Sequence, residues 1–443
     1  MALKGLNRLS RGSVIPGNYL DEILRHNPLD YRDKAFVSHL VQGVLRWRIK
    51  LDWIIEQSVS FAFKKISPSV LNILRLAVYQ IFFLDRVPES AAVNEAVKQA
   101  KLNNHRQVVS SVNGILRNIC RQKDKIIYPD PARKPFDYLS VYYSYPKWLV
   151  KKWAKEFGPE FTEDLLSAGN RIPALCIRTN ILKIDRPALI KLLTGEGVKA
   201  DPAPYLPCGI LINGLRRKVD KLDSFKKGLF QVQGQAAQIA SYLLAPQSDE
   251  VVLDICAGLG GKTTHLAEYM GNRGKMLALD ISIQRLLILK NNSKRLGTSS
   301  ITSLSADASR SLSSLFRVKF DKIIVDAPCS GLGVISRHPD GKWNKNDEDI
   351  GRLAFLQKAI LNEAVSVLRR GGRILYMTCT ISEEENEGVV NSCVASNKDL
   401  YLEDLRDYIP AWGGGLIDDR GFLKTFPHIH NMDGFFGALL RKE

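Results

Sequence analysis

Three observations predict an α/β protein whose C-terminal half is a mostly parallel sheet with helices on both faces, preceded by an all-helical bundle and a small α+β unit. Short β-favouring runs recur late in the chain, at residues 251–254, 275–280, 301–306, 321–326 and 373–379, and helical-period segments separate them. Asp254, Asp280, Asp307, Asp326 and Cys379 stand at the ends of these runs, where the crevice of a parallel sheet opens. The first 125 residues instead carry apolar side chains at helical period. The expected domains are therefore 1–125, 126–235 and 236–443.

In the first domain, residues 34–49 place Phe36, Leu40, Val41, Val44 and Leu45 near one helical face. Ser67-Pro68, followed by Val70, Leu71, Leu74, Ala77, Val78 and Ile81, reads as an N-cap with proline in the first turn. Pro88 opens another helix, and Val108 to Ile119 continues the bundle. Arg46-Trp47-Arg48-Ile49-Lys50 reads as the end of a helix, either a solvated end with a partly buried indole or a phosphate-contacting, base-stacking segment. Residues 125–135 hold Pro129, Pro131 and Pro135 and read as a linker. Beyond it, helices over 146–157 and 186–196 alternate with strands over 174–179 and 209–212. The basic run Arg216, Arg217 and Lys218, with Lys221, Lys226 and Lys227 nearby, reads as a solvated face suited to RNA. A pair of strands near 422–425 and 435–440 closes the last domain.

The net charge of +17 is unevenly spread. Residues 1–235 hold 38 Lys and Arg against 21 Asp and Glu, whereas 236–443 hold 25 of each. A neutral half joined to a basic half implies a polyanion on the basic half, and charge alone leaves RNA, DNA and acidic membrane surface open. No run approaches the ~20 apolar residues of a membrane span, and no apolar signal core begins the chain. Seven cysteines without Cys-x-x-Cys spacing fit a reducing compartment, and seven histidines add no zinc-like cluster. A cytoplasmic, metal-free protein is expected.

The stretch Val251 to Leu266, VVLDICAGLGGKTTHL, reads as strand, glycine turn and helix start. Spacing separates its possible ligands. A triphosphate loop would need glycine at Cys256, and a dinucleotide loop would need it at Thr263. A nucleoside-bearing cofactor without a tightly held phosphate remains, with Asp280 placed for the ribose hydroxyls. Cys329, in Asp326-Ala327-Pro328-Cys329-Ser330, and Cys379, in Met377-Thr378-Cys379-Thr380, follow separate strands of one sheet and converge on its crevice. The ordinary role of a single cysteine is that of a small buried apolar residue, which is the reading for Cys120, Cys176, Cys208 and Cys393. Cys256 packs within the glycine turn.

Four stretches in this order, CAGLGGKT (256–263), DAPCSGLGV (326–334), SRHPDGKW (336–343) and TCTISEEENE (378–387), resemble the RNA cytosine carbon-5 methyltransferases that use S-adenosylmethionine. The segments LVQGVLR, LNILRLAVYQIFFL, AAVNEAVKQAK and SVNGILR resemble the NusB antitermination factor. The combination resembles the bacterial 16S ribosomal RNA methyltransferase B family (Fmu/Sun) over nearly the whole chain.

The resemblance implies a Rossmann-like class I methyltransferase sheet, a NusB-like N-terminal domain and methylation of carbon 5 of a cytosine in 16S ribosomal RNA. That RNA, free or within a partly assembled small subunit, is the expected partner, and a monomer is expected. Carbon 5 of a pyrimidine is a poor nucleophile until a thiolate adds at carbon 6. In the family pattern Cys379 is that nucleophile, Cys329 assists release or proton removal, and Asp326 contacts the ring edge and the methyl region. Cofactor contacts are implied for Cys256, Ala257, Gly258, Leu259, Gly260, Gly261 and Lys262, with Asp280 on the ribose and Asp307 on the adenine amine. DNA cytosine methyltransferases use the Pro-Cys cysteine instead, so the choice between the two thiols is a substantive one. Gly258-Leu259 replaces the family's usual Ala/Ser-Pro, which implies a looser turn and lower cofactor affinity. Gly234 stands where related enzymes often carry an acidic residue. A non-catalytic RNA-binding factor would need neither the paired cysteines nor the acidic strand ends, and a nucleotide hydrolase is set back by Cys256.

Overall fold

The computed structural model describes residues 1–9, 23–24, 27–215 and 217–443. The chain divides into two compact units, one formed by Met1–Asn170 with Arg337–Asn344, the other by Arg171–Ser336 with Lys345–Glu443. Arg216 of the basic run lies outside the described residues. Among those residues, no helix is long and apolar enough to cross a membrane.

The first unit is helical. Helices Tyr31–Gln57, Pro68–Phe83, Glu89–Lys101 and Arg106–Arg121 bury Leu51, Ile54, Ile55, Leu74, Val78, Val112 and Leu116 in one core. Ser67 caps the second of them, its hydroxyl accepting from Val70 N at 3.5 Å, with Pro68 in the first turn. Helices Pro135–Tyr143, Lys147–Phe157 and Pro159–Gly169 follow. The stretch before them is tied back, since Trp53 Nε1 donates to Ile127 O at 2.9 Å and Ile127 N donates to Gln57 Oε1 at 3.2 Å.

The segment Arg46 to Lys50 departs from expectation. It is not a helix end: the helix runs on to Gln57 through a kink at Trp47 (φ −110°, ψ 18°). Arg46 is buried, and Trp47 stacks on Phe83 with centroids 4.8 Å apart. The Lys50 ammonium lies 4.1 Å from the Tyr142 ring centroid and near the rings of Tyr128 and Trp47. Burial lowers its pKa to about 8. Aromatic faces within the unit thus supply the contacts that solvent or RNA was expected to supply.

Residues 337–344 complete this unit. The Lys342 side chain is fully buried and donates to Arg46 O (3.0 Å), Ser144 O (3.1 Å) and Asn170 Oδ1 (2.7 Å), with its ammonium 3.5 Å from the Tyr145 ring centroid. Trp343 Nε1 donates to Leu45 O at 2.7 Å. Three acceptors surround the buried amine, while burial, with Arg46 adding to it, lowers its pKa well below that of an ordinary lysine.

The second unit contains two sheets. The smaller is antiparallel, ordered β2-β3-β1-β4, from β1 (Leu175–Thr179), β2 (Lys199–Pro202), β3 (Gly209–Asn213) and β4 (Phe230–Val232). The larger contains β5 (Val251–Asp254), β6 (Lys275–Asp280), β7 (Ile301–Ser305), β8 (Phe320–Asp326), β9 (Leu368–Thr378), β10 (Leu400–Glu403), β11 (Leu423–Thr425) and β12 (Phe435–Lys442). Its order is β10-β12-β9-β8-β5-β6-β7, with β11 on β12. Strands β5 to β9 pair in parallel, and β12 returns antiparallel to β9. Period-2 alternation sends Ile323, Val325, Ile374 and Tyr376 into one core with helix Asp347–Val367. Ile324, Leu375 and Met377 point the other way, toward helix Gln235–Leu244.

Replacing Lys342 with Met strands three acceptors in the helical unit and is expected to destabilise that unit by about 3 kcal/mol. Five of the six tryptophans lie in this unit, so urea unfolding followed by tryptophan fluorescence reads the loss.

Candidate active site

The sheet order reverses between β5 and β8, which pair in parallel with Asp254 opposite Ile324 and end at Asp254 and Asp326. Connections leave a parallel sheet on opposite sides at such a point, so a crevice opens there. A cavity of about 430 Å³ occupies it, with Ile255, Ile281, Ala308, Leu356 and Ile360 supplying apolar walls. Cys256, Gly258, Asp280, Asp307 and Asp326 also line it.

The glycine turn carries the geometry. Gly258 (φ +54°) and Gly260 (φ +83°) occupy the left-handed region, and a Cβ on Gly260 would lie 2.6 Å from Leu289 Cγ. Gly258 N donates to Asp280 Oδ2 at 2.9 Å, while Ser282 N donates to Asp280 Oδ1 at 2.8 Å. Both bonds aim the Asp280 carboxylate at the cavity, with the Arg285 guanidinium 3.9 Å away. Asp307 is held by Ser309, whose hydroxyl (2.7 Å) and N–H (3.0 Å) both donate to Oδ1, and by Arg310 at 3.1 Å. The Ser309 bonds, with Arg310, keep this carboxyl below its ordinary pKa.

The other expected contacts lie off the cavity wall. Ala257 is buried with Ala278, Leu286 and Leu289. Leu259 is exposed, and its carbonyl accepts from Asn292 Nδ2 at 3.2 Å. Gly260 caps the helix Gly261–Tyr269. Lys262, in that helix's first turn, is buried and donates to Asp326 Oδ2 at 2.6 Å. Burial opposes its charge, but Asp326 and then Cys379 outweigh that and raise its pKa.

The two thiols meet. Cys329 and Cys379 are half-buried with sulfurs 3.3 Å apart, and Cys379 N donates to Cys329 Sγ at 3.3 Å. Gly333 N donates to Cys379 O at 3.0 Å and Gly434 N to Gly333 O at 2.8 Å. A Cβ on Gly333 would fall 1.9 Å from Gly434 O, so only glycine allows this approach. The bond with Cys379, reinforced by burial, raises the Cys329 pKa well above that of an ordinary thiol. Cys256 is pushed up by burial and by Asp254 and Asp326. Cys176, Cys208 and Cys393 are buried away from these thiols, and Cys120 packs against the helical core. Among the described residues no group of His, Cys, Asp and Glu side chains could hold a metal ion.

Two buried supports were not apparent in the sequence. Arg178 on β1 is fully buried and donates to Gln233 Oε1 (2.5 Å), Gly261 O (2.8 Å), Thr264 Oγ1 (3.1 Å) and Glu268 Oε1 (2.7 Å). The small sheet therefore grips the first turns of the helix that follows the glycine turn. The signal was one arginine following the apolar Leu175, Cys176 and Ile177 in the buried strand LCIRT. The second support is Glu385 with Asn386, from the run EEEN just past Cys379. Thr378 Oγ1 donates to Asn386 Oδ1 (2.5 Å), and Asn386 Nδ2 donates to Thr380 O (3.1 Å), so one amide clamps both neighbours of Cys379.

Three family models match in chain order: the NusB family over residues 1–121, a ferredoxin-like domain of RsmF/B-like methyltransferases over 145–217, and the 16S rRNA methyltransferase RsmB/F over 241–441. The chain is 34% identical to ribosomal RNA small subunit methyltransferase B of Proteus mirabilis, over 98% of this chain and 95% of that protein. It is also 34% identical to the protein of the same name from Escherichia coli O6:K15:H31, over 93% and 91%. Among solved structures, that of PH0851 superposes with a TM-score of 0.82 at 27% identity, covering 100% of this chain and 97% of the other. NSun6 from Pyrococcus horikoshii, solved with SFG, superposes with a TM-score of 0.60 at 27% identity, over 67% of this chain and 98% of its own.

Asp254 gives a pH test of the buried charges. Burial pushes its carboxyl up to about 7, against the Thr263 hydroxyl that donates to it at 2.6 Å and with Asp326 adding to the rise. Between the ordinary value of 3.8 and about 7 the folded chain keeps a proton that the unfolded chain has released. Stability from this group therefore falls as pH rises through that window and is lowest above it. Asp254→Asn removes the titration. Between about pH 5 and about pH 8 the variant is expected to gain on the parent by about 2–3 kcal/mol in urea unfolding. A pH-independent difference would contradict the assignment.

Proposed function

This chain belongs to the RsmB/F family of 16S rRNA methyltransferases, S-adenosylmethionine-dependent enzymes, and from that premise we propose that it methylates carbon 5 of a cytosine in small-subunit ribosomal RNA through a covalent cysteine adduct. The observation that carries the reading is the pair of thiols 3.3 Å apart beside the Lys262–Asp326 ion pair at the switch point of the sheet. A methyltransferase acting on oxygen or on an amine has no need of two thiols in contact.

The cavity suits the cofactor: its apolar walls match a purine, and the Asp280 and Asp307 carboxylates are oriented by backbone and hydroxyl donors for a ribose diol and an exocyclic amine. When bound, S-adenosylmethionine supplies an electrophilic methyl group on its sulfonium. Cys256, Gly258 and Asp326 complete the wall, while Ala257, Leu259, Gly260, Gly261 and Lys262 shape the turn that forms it.

The target base must leave its stack to enter the crevice. The Cys379 sulfur attacks carbon 6, and its proton passes by way of Asp326 to the ring nitrogen, where negative charge would otherwise build. Lys262 holds Asp326 in place. Carbon 5, now the nucleophilic end of an enamine, takes the methyl group. In release, the C5–H proton passes to Cys329 as the proton of Cys329 passes to the departing Cys379 sulfur. The C–H electron pair forms the C5–C6 double bond, the C6–S pair returns to sulfur, and the ring nitrogen gives its proton to water. The basic excess of residues 1–235 supplies the charge that binds the RNA backbone.

Tritiated methyl transfer to small-subunit ribosomal RNA is expected to vanish in Cys379→Ala. In Cys329→Ala the methylated RNA is expected to remain attached to protein on a denaturing gel. Loss of adduct in Cys329→Ser but not in Cys379→Ser would reverse the two roles. Bisulfite mapping of ribosomal RNA from cells with and without the protein identifies the base.

A further inference from the structure

Two chemically identical thiols in contact cannot be told apart by their own chemistry, so their surroundings must assign the tasks. The segments that follow β5 and β9 place opposite charges near them. Lys262 is paired with Asp326, and Cys379 supports its charge, whereas the Glu385 carboxylate bonds Ser330, the residue next to Cys329. Glu385 is wholly buried and has no cation among its hydrogen-bond partners. Its Oε1 accepts from Ser330 N at 2.8 Å and from Gln357 Nε2 at 2.9 Å, and its Oε2 accepts from Ser330 Oγ at 2.5 Å. Gln357 Nε2 also donates to Pro328 O at 2.9 Å, so the residues on both sides of Cys329 are fixed through one carboxylate and one amide. Ser330 Oγ lies 2.8 Å from Thr380 Oγ1, which joins this loop to the one that carries Cys379. A buried carboxylate satisfied only by neutral donors is costly, and its retention needs a return beyond stability.

We propose that Glu385 is the positioning residue that commits Cys329 to release: by gripping Ser330 and Gln357 it holds the Cys329 sulfur against that of Cys379, with an anion behind it, so that Cys329 relays the proton and does not attack the base. The proposal rests on the reading in which Cys379 attacks and Cys329 assists release. Glu385 touches neither RNA nor cofactor in this scheme. It acts through the Cys329 loop, and its loss falls on the second half of the reaction.

The test is a single turnover with S-adenosylmethionine tritiated in its methyl group and small-subunit ribosomal RNA. Both the rate of methyl transfer and the fraction of methylated RNA still attached to protein are read on denaturing gels. Glu385→Gln keeps the volume and one acceptor but removes the charge. The ratio of release to methyl transfer is expected to fall about tenfold, toward that of Cys329→Ala, and Glu385→Asp to recover part of it. A merely structural role would lower both rates together and trap no adduct, and that result overturns the proposal. Should Glu385→Gln fail to fold, Ser330→Ala removes one of the three bonds and is expected to trap adduct in the same direction; release at the parent's rate in Ser330→Ala counts against the idea. Normal release in Glu385→Gln, with trapping still seen in Cys329→Ala, sinks the role of Glu385 and leaves the underlying reading standing. Adduct formed by Cys379→Ala sinks the reading itself.

Discussion

Strands β5 and β8 lie side by side and run the same way, yet the chain leaves their ends toward opposite faces of the sheet, and this opening is the constraint on which the rest of the site depends. A parallel sheet cannot close such a gap with its own backbone. The glycine turn after β5, the Asp326 loop after β8 and the Cys379 loop after β9 are the segments that surround it. The Lys262–Asp326 pair joins the first of these to the second, and the Cys329–Cys379 contact joins the second to the third. Three loops with separate sequences thus become one surface through two short contacts.

The same region concentrates buried charge. Asp254, Lys262, Arg178, Glu268 and Glu385 are all nearly or wholly removed from water. Each is a cost that an apolar side chain would have avoided. Arg178 and Glu268 offset theirs by pairing, Lys262 by Asp326, and Glu385 by neutral donors alone. Apolar layers on both faces of the sheet supply the stability against which these costs are set, and against which Asp254 Oδ1, Arg178 Nε and Glu268 Oε2 stay buried with no hydrogen-bond partner among the described residues.

Much of this was legible from residue patterns. β5, β6, β8 and the acidic strand ends follow from short β-favouring apolar runs ending in Asp, and convergence of Cys329 and Cys379 follows from their place after two strands of one sheet. Strands β2, β4 and β10 were missed because KADP, FQV and LYLE are too short to show a period. Arg178 and Glu385 were missed for a different reason: a charged residue reads as solvated until its partners, distant in sequence, are known. Arg46 to Lys50 misled in the same way, since the rings of Phe83, Tyr128 and Tyr142 that enclose it lie 33 to 96 residues further on. The turn at Gly258-Leu259 carries less slack than its lost proline suggests, because Asp280, Ala257 and Asn292 each bond its backbone.

The membership of residues 337–344 in the helical unit bears on how the chain comes off the ribosome. Arg46, Ser144 and Asn170 are made early, and the lysine that satisfies their oxygens is made about half a chain length of helical-unit and sheet residues later. For all that interval these three oxygens go without the Lys342 amine. The helical unit becomes complete when the loop beyond Cys329 arrives, so the last part of the first-made unit is delivered by the middle of the second. A nascent chain arrested before residue 342 therefore holds a helical unit that is still unfinished, and maturation of the two units is coupled by the order of synthesis.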